Sequence, residues 1–274
     1  MLVSINMRQT ICLVLVFATT YTFGQNNIEK KITLTGIEKI VGNFQWGDVT
    51  LKNYEGSELI VEGDVSINLG ENNDAFSLET KAEGNVLEIH ASVEDFKSLP
   101  SYLVIDSDRG RSYRKIEKTD DLDWKKIRDE FGSGQSYSMG PLIEISLTIL
   151  VPKKLALVIE TEYGSMEAIE CQNPMDLKSK YGHLMVNLPA RMEEDCQFES
   201  TYSFVDVSCP PNAGYNLLLE TNYGQVYSNL DLNIDKKGSV DKIFESKIIG
   251  TLNNGGSPLQ IKATYSDIYL RMKT

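Results

Sequence analysis

"ETNYGQVYSNL", Glu220 to Leu230, sets a tyrosine and a glycine before a short apolar run, and near copies of it recur along the chain. "ETEYGSMEAI" starts at Glu160, "KSKYGHLMVNL" at Lys178, "ESTYSFVDVSC" at Glu199 and "KATYSDIYLRM" at Lys262. Aligned on the aromatic, the units give Tyr163, Tyr181, Tyr202, Tyr223, Phe244 and Tyr265, spaced by 18, 21, 21, 21 and 21 residues. A fixed period of about 20 residues with strand-like patterning points to units that stack, because one such unit cannot bury its apolar face alone.

The alignment holds at neighbouring positions. Four residues before the aromatic stand Ile159, Leu177, Phe198, Leu219, Val240 and Ile261, all apolar. One position later come Glu160, Lys178, Glu199, Glu220, Asp241 and Lys262, all charged. This is period-two alternation, the signature of a strand with one buried face. After the aromatic, Gly164, Gly182, Ser203, Gly224 and Ser266 permit a sharp bend, and Glu245 breaks the column. A second strand then directs Met166, Leu184, Val205, Val226 and Ile268 inward, followed by Ala168, Val186, Val207, Ile249 and Leu270.

These columns predict an all-β fold: a single-stranded β-solenoid with coils of roughly 20 residues, each contributing two or three short strands and pairing in parallel with the coils above and below it. The six aromatics form an inward-facing structural ladder along one edge. At a strand spacing of about 4.8 Å, six coils span about 29 Å, and the open ends require caps. An antiparallel sandwich of evenly spaced hairpins is the alternative. The recurrence of like residues at one phase disfavours it.

Outside the repeats the chain divides into a leader at 1–24, an N-terminal section at 25–105 and a polar insert at 106–140, with the repeats over 141–274. The leader has Arg8, an apolar run from Ile11 to Ala18 and small residues up to Gly24, the layout of a signal peptide too short to span a bilayer. Cys12 follows Ile11, where a lipoprotein signal has a small residue, so no lipid anchor is expected. The N-terminal section reads as an antiparallel β section that opens the solenoid: "FQWGDVTLKNY" fits the repeat template with Trp46 in the aromatic column. The insert concentrates Arg109, Arg111, Arg114 and Lys115, then turns helical, with Thr119, Asp120 or Asp121 to cap and Trp124, Ile127 and Phe131 on one face before Gly132.

The run "LTILVPKKLALVIETEYGSMEAI", followed by "DLKSKYGHLMVNL" and "FESTYSFVDVS", resembles the bacterial β-strand-repeat family called "putative adhesin", a domain family of unknown function. Pro152 and Lys153 match the lysine-bearing "I-x-V-P" strand of that family. Aromatics stand before glycine where many members have serine, and the insert at 106–140 falls outside the pattern. The resemblance implies a solenoid exported to the envelope or cell surface and brings no catalytic residue with it.

Composition narrows the function classes. The net charge is −12, and loss of Arg8 with the leader makes it −13, a surface that repels nucleic acid and anionic lipid. Neither an EF-hand loop nor a calcium-binding nonapeptide is present. Cys171, Cys196 and Cys209 allow either one disulfide or three buried thiols, and their spacing is not that of zinc ligands. His183 lies at a variable bend position and His90 on a strand surface. Glu167, Asp206 and Asp267 read as an outward charged face rather than glycosidase carboxylates. No cofactor, metal or catalytic residue is therefore expected. The candidate partner-binding patch is the insert, with Arg109, Arg111, Tyr113, Arg114, Trp124 and Phe131, residue types that dominate interface energetics. The expected role is a non-catalytic, adhesin-like interaction module for a protein or glycan of the envelope or surface. Alternatives are a regulatory or structural partner of a membrane signalling protein and, third, a carbohydrate-active β-helix enzyme.

Overall fold

The computed structural model describes residues 26–108, 110–116, 122–131 and 136–273. The leader, Arg109, the capping candidates Thr119, Asp120 and Asp121, and Gly132 lie outside the described residues.

Over the described residues the chain is all-β apart from short helical turns and one α-helix. Its first third runs β1 (Asn26–Thr33), β2 (Lys39–Trp46), β3 (Asp48–Asn53), β4 (Glu58–Ile67), β5 (Phe76–Glu83) and β6 (Val86–Val93). The next segment is β7 (Ser101–Ser107), β8 (Gly110–Ile116), α1 (Trp124–Phe131) and β9 (Ser136–Gly140), closed by β10 (Ile143–Val151). Then come two-strand units: β11 (Ala156–Tyr163) with β12 (Met166–Ile169), β13 (Met175–Ser179) with β14 (Leu184–Asn187), β15 (Cys196–Ser200) with β16 (Val205–Cys209), and β17 (Tyr215–Asn222) with β18 (Val226–Ser228). The chain ends with β19 (Leu232–Ile234), β20 (Val240–Lys242), β21 (Glu245–Leu252) and a last unit, β22 (Ser257–Ala263) with β23 (Ile268–Met272).

First strands of the two-strand units lie in one sheet and second strands in another, so the chain turns from sheet to sheet at the aromatic of each such unit. Sheet A has the order β1-β4-β10-β3-β12-β14-β16-β23-β18, and sheet B the order β19-β21-β17-β22-β15-β13-β11-β2-β6-β5, with β20 beside β21. Within the repeats every pair is parallel and in register. One row across sheet A is Val49, Met166, Leu184, Val205, Ile268 and Val226, and a row across sheet B is Ile159, Leu177, Phe198, Ile261 and Leu219. These rows face each other and make one continuous core, to which each buried Leu or Ile contributes about 1.5–3 kcal/mol.

The bends are tight because backbone meets backbone there. A Cβ on Gly182 would stand 2.1 Å from the Gly164 carbonyl oxygen, and one on Gly164 1.8 Å from that of Gly47. Ser179 Oγ donates to the Gly182 carbonyl (2.6 Å) and Thr221 Oγ1 to that of Ser266 (2.9 Å), which satisfies bend oxygens that the sheets leave unpaired.

The stacking order differs from the chain order. The Tyr265 unit is wedged between the Tyr202 and Tyr223 units: β22 pairs with both β15 and β17, and β23 with both β16 and β18. The units pair in parallel with those above and below, but the order in space is not the order in the chain. The physical reason lies on the outer face of sheet B, where spatial order reads Glu160, Lys178, Glu199, Lys262, Glu220, Lys247, a strict alternation of sign. Chain order would have set Glu199 against Glu220, and like charges directly opposite are destabilising. Lys262 instead pairs with Glu199 at 2.7 Å, and Lys247 with Glu220 at 2.8 Å.

The Phe244 segment is not a two-strand unit either. β20 and β21 form an antiparallel hairpin, and β21 runs antiparallel to β17. Ile248, not Ile249, stands opposite the inward Leu219, so Ile249 does not continue the inward column. The break at Glu245 and Lys247 marks this change of direction.

The N-terminal section is mixed: β2 and β3 join the parallel stack through β11 and β12, whereas β1, β4 and β5 pair antiparallel. The insert is a third sheet, β8-β7-β9, with α1 against it over a small core of Leu103, Ile105 and Ile127. Asp123 Oδ1 accepts from the Lys126 N–H (3.0 Å) and thereby caps α1. Cys171, Cys196 and Cys209 are unpaired and buried.

Candidate functional site

The aromatics at the bends are the most conspicuous surface feature. The parallel register carries unit-to-unit hydrogen bonds through the bend: the Tyr181 N–H donates to Glu162 O (3.0 Å), that of Tyr202 to Lys180 O (2.9 Å) and that of Tyr265 to Thr201 O (2.9 Å). Rings attached at those positions inherit the strand spacing of about 4.8 Å, close to the separation of stacked rings.

The result is a column in the order Phe96, Trp46, Tyr163, Tyr181, Tyr202, Tyr265, Tyr223, Phe244. Ring centroids from Trp46 to Tyr223 are 4.4, 5.0, 5.1, 5.2 and 5.5 Å apart, with planes within 21° of parallel. The last pair is tilted by 39°, where Phe244 joins from the hairpin.

The column faces solvent, which corrects the inward reading of the ladder. Exposure runs from 44% at Tyr163 to 62% at Tyr223 and Phe244. The reason is the bend: Thr161, Ser179 and Ser200, two positions earlier, are buried as strand alternation requires, but the strand ends at or before the aromatic and the chain turns the ring outward. Each ring face is covered by its neighbour, so the column presents ring edges and phenol hydroxyls.

Two further rows flank it. On one side, the Lys180 ammonium bonds Glu162 (2.8 Å) and lies 5.3 Å from the Tyr181 ring; that hydrogen bond holds the amine above the usual lysine range. On the other side, Ser165 Oγ and His183 Nδ1 are 3.0 Å apart, His183 stacks on Phe204 at 5.0 Å, Phe204 meets Tyr269 edge-on, and Tyr269 stacks on Tyr227 at 5.3 Å. Sequence reasoning missed this second row because its members change type from unit to unit. It also missed Phe96, which lies outside the repeats. Below the row, Asp206 is held by Arg271, and a groove of about 560 Å³ runs past Asn187, Ser208 and Arg271.

The insert spreads its expected binding residues over β8 and α1. Arg111 forms a fork with Asp106 (2.7 and 3.2 Å), and Arg114 bonds Glu130 (2.6 Å) while lying over the Phe131 ring. Trp124 meets Tyr137 edge-on at 5.6 Å, and Tyr113 is half-buried beside a cleft of about 290 Å³. Both guanidinium groups therefore face carboxylates of the insert itself. Among the described residues no group of three His, Cys, Asp or Glu could hold a metal, and no helix is long and apolar enough to cross a membrane.

No protein-family model matches the chain, and no curated protein matches it. Among solved structures, a "putative cell adhesion protein" from Clostridium sporogenes is similar with a TM-score of 0.57 at 12% identity, covering 91% of this chain and 100% of that one. A "putative adhesin" from Bacteroides fragilis gives a TM-score of 0.33 at 10% identity, covering 92% and 99%. The first shares the fold with this chain.

Proposed function

We propose that the protein is a non-catalytic, adhesin-like interaction module built as a β-solenoid, exported by its leader to the envelope or cell surface, with the aromatic face as its contact surface. The observation that carries this reading is the exposure of the stacked column. A ladder that only held units together would do so as well with its rings covered. Here six exposed rings, continued at one end by the part-buried Trp46 and Phe96, form with a second aromatic row a strip on one side of the stack. Tyrosine suits such a surface, since a preordered ring loses little entropy on contact and its hydroxyl offers a donor and an acceptor. The adhesion label of the Clostridium sporogenes neighbour supports the same reading.

The test is retention of beads carrying the protein on immobilised surface glycans and surface proteins, against beads carrying a Tyr181→Ser, Tyr202→Ser, Tyr265→Ser variant. Retention of the first and not of the second is expected, and equal retention refutes the aromatic face as the contact surface. Protease treatment of intact cells checks the location: digestion is expected, and protection until the outer membrane is breached counts against adhesion. Protection with specific binding to a signalling protein of the envelope would favour the regulatory alternative.

A further inference from the structure

The outer face of sheet A carries rows of its own, set by the same parallel register that stacks the core. One row reads Ile169, Asn187, Ser208 and Arg271 on β12, β14, β16 and β23, with Asn229 just past β18. At a strand spacing of about 4.8 Å this row spans about 19 Å. The groove of about 560 Å³ follows it across the strands and is lined as well by Glu170, Met272 and Lys273. The row next to it, nearer the bends, holds Glu167, Met185, Asp206, Tyr269 and Tyr227.

Asp206 points away from the core, between the inward Val205 and Val207, yet is only 9% exposed. A carboxylate so covered is costly unless it is paired. Arg271 pairs it, with Nε donating to Oδ1 (2.9 Å) and a second guanidinium nitrogen on Oδ2. The fork holds the guanidinium in one place, and its remaining N–H groups are left for the groove that Arg271 lines. Other lining groups offer both kinds of partner. Asn229 Oδ1 accepts from the Met272 N–H (2.8 Å), which leaves its amide N–H groups; Asn187 Nδ2 lies 3.5 Å from Glu167 Oε1, which leaves its carbonyl; Ser208 Oγ both donates and accepts. Lys273 pairs with Glu170, so the two cations of the groove are matched by two carboxylates in a chain of net charge −12.

A ligand that fits is uncharged, long and narrow, and carries groups that donate and accept at once. Sugar hydroxyls do so, and the C–H faces of sugar rings pack on aromatic rings, here Tyr269, Tyr227 and Phe204 beside the groove. An extended glycan advances by close to one strand spacing per sugar, so each unit of the stack meets the next sugar. We propose that this groove binds a neutral, extended polysaccharide, about four sugars of it laid across the strands, with Arg271 as the fixed donor. The proposal rests on the reading of the chain as an interaction module and names its partner, on the outer face of sheet A rather than at the bends.

Isothermal titration calorimetry with hexasaccharides of β-1,4-linked glucose, mannose and N-acetylglucosamine tests it, with hexagalacturonate as the anionic counterpart. Binding of at least one neutral hexasaccharide is expected, with an affinity that rises with chain length up to about four sugars and then levels. Arg271→Gln is expected to weaken that binding about tenfold or more, since a charged donor is lost. That change also uncovers Asp206, so Asn187→Ala with Ser208→Ala is the second variant: it leaves the ion pair in place and is expected to weaken binding about fivefold at unchanged Tm. The Tyr181→Ser, Tyr202→Ser, Tyr265→Ser variant is expected to bind as the parent does. Loss of binding in that variant, with full binding by the Asn187, Ser208 double variant, would move the glycan to the column, overturning the groove while the aromatic contact surface stands. No binding of any neutral hexasaccharide at millimolar concentration, hexagalacturonate bound as tightly, an affinity independent of chain length, or unchanged affinity in the double variant overturns the proposal.

Discussion

Leu177 in the repeat stack sits between Ile159 and Phe198 on neighbouring units, and the row continues from Phe198 to Ile261 and Leu219. In the insert, Leu103, Ile105 and Ile127 are buried together, with Ile116, Leu122, Phe131 and Tyr137 partly covering them. Around that small core the fastenings are ion pairs, Arg111 to Asp106 and Arg114 to Glu130, with all four side chains well exposed. Pairs of that kind contribute about 0–1 kcal/mol each. The same chain therefore holds one region by distributed burial and another by a few local contacts. The first is expected to resist loss of a single residue's order, and the second to open on its own.

The sharpest way to break the contrast is alkaline pH, because all three thiols lie in the stack. Burial pushes Cys171, Cys196 and Cys209 up to about 12 from 9.0. The folded chain thus keeps protons that the unfolded chain releases. The stability these thiols contribute is complete below pH 9 and is lost as pH rises toward 12, at up to about 4 kcal/mol per pH unit for three protons. Urea titrations at successive pH values are expected to show this slope, and a triple Cys→Ala variant a shallower one. An equal slope would mean the thiols are not the cause.

Leu177→Ala removes a fully buried side chain from the middle of the stack and is expected to cost about 2–5 kcal/mol in global stability, read as a fall in urea midpoint at unchanged slope. Ile127→Ala is the matched change in the insert. It is expected to raise amide exchange across β7, β8 and α1 while the stack's Tm stays within a degree or two of the parent. A common drop in both regions would show the insert to be part of the stack's cooperative unit. Tyr202→Ala is the mildest, at about 0.5–1.5 kcal/mol for two lost ring contacts, measured by thermal unfolding. A cost as large as that of Leu177→Ala would return the ladder to the interior.

The stack was legible because five or more units voted on each column: apolar Ile159, charged Glu160 and bend Gly164 gain their meaning from their counterparts. The order of units was not read, because periodicity conceals it and the signs of Glu199, Glu220 and Lys262 take on meaning only once the pairing is known. What hid the exposure of the aromatics is that an apolar ring at a fixed phase looks the same whether it points in or out of a bend. The insert had no second copy to read against. Its helix showed through Trp124, Ile127 and Phe131, but β7 and β8 did not, since Arg111 to Lys115 reads as a charged loop until Asp106 and Glu130 are found facing it. Phe96 and the Tyr227–Tyr269 row joined the candidate surface only through the topology.

The wedged last unit has a consequence for how the chain is made. β17 precedes β22 in the chain, so a β15 that folded before β22 arrived would have β17 as its available neighbour, with Glu199 set against Glu220. That mismatch keeps the provisional pairing weak and the edge available until the C-terminal residues arrive. The stack's order in space thus differs from its order of translation, since β22 and β23 follow β17 and β18 in the chain yet lie inside them.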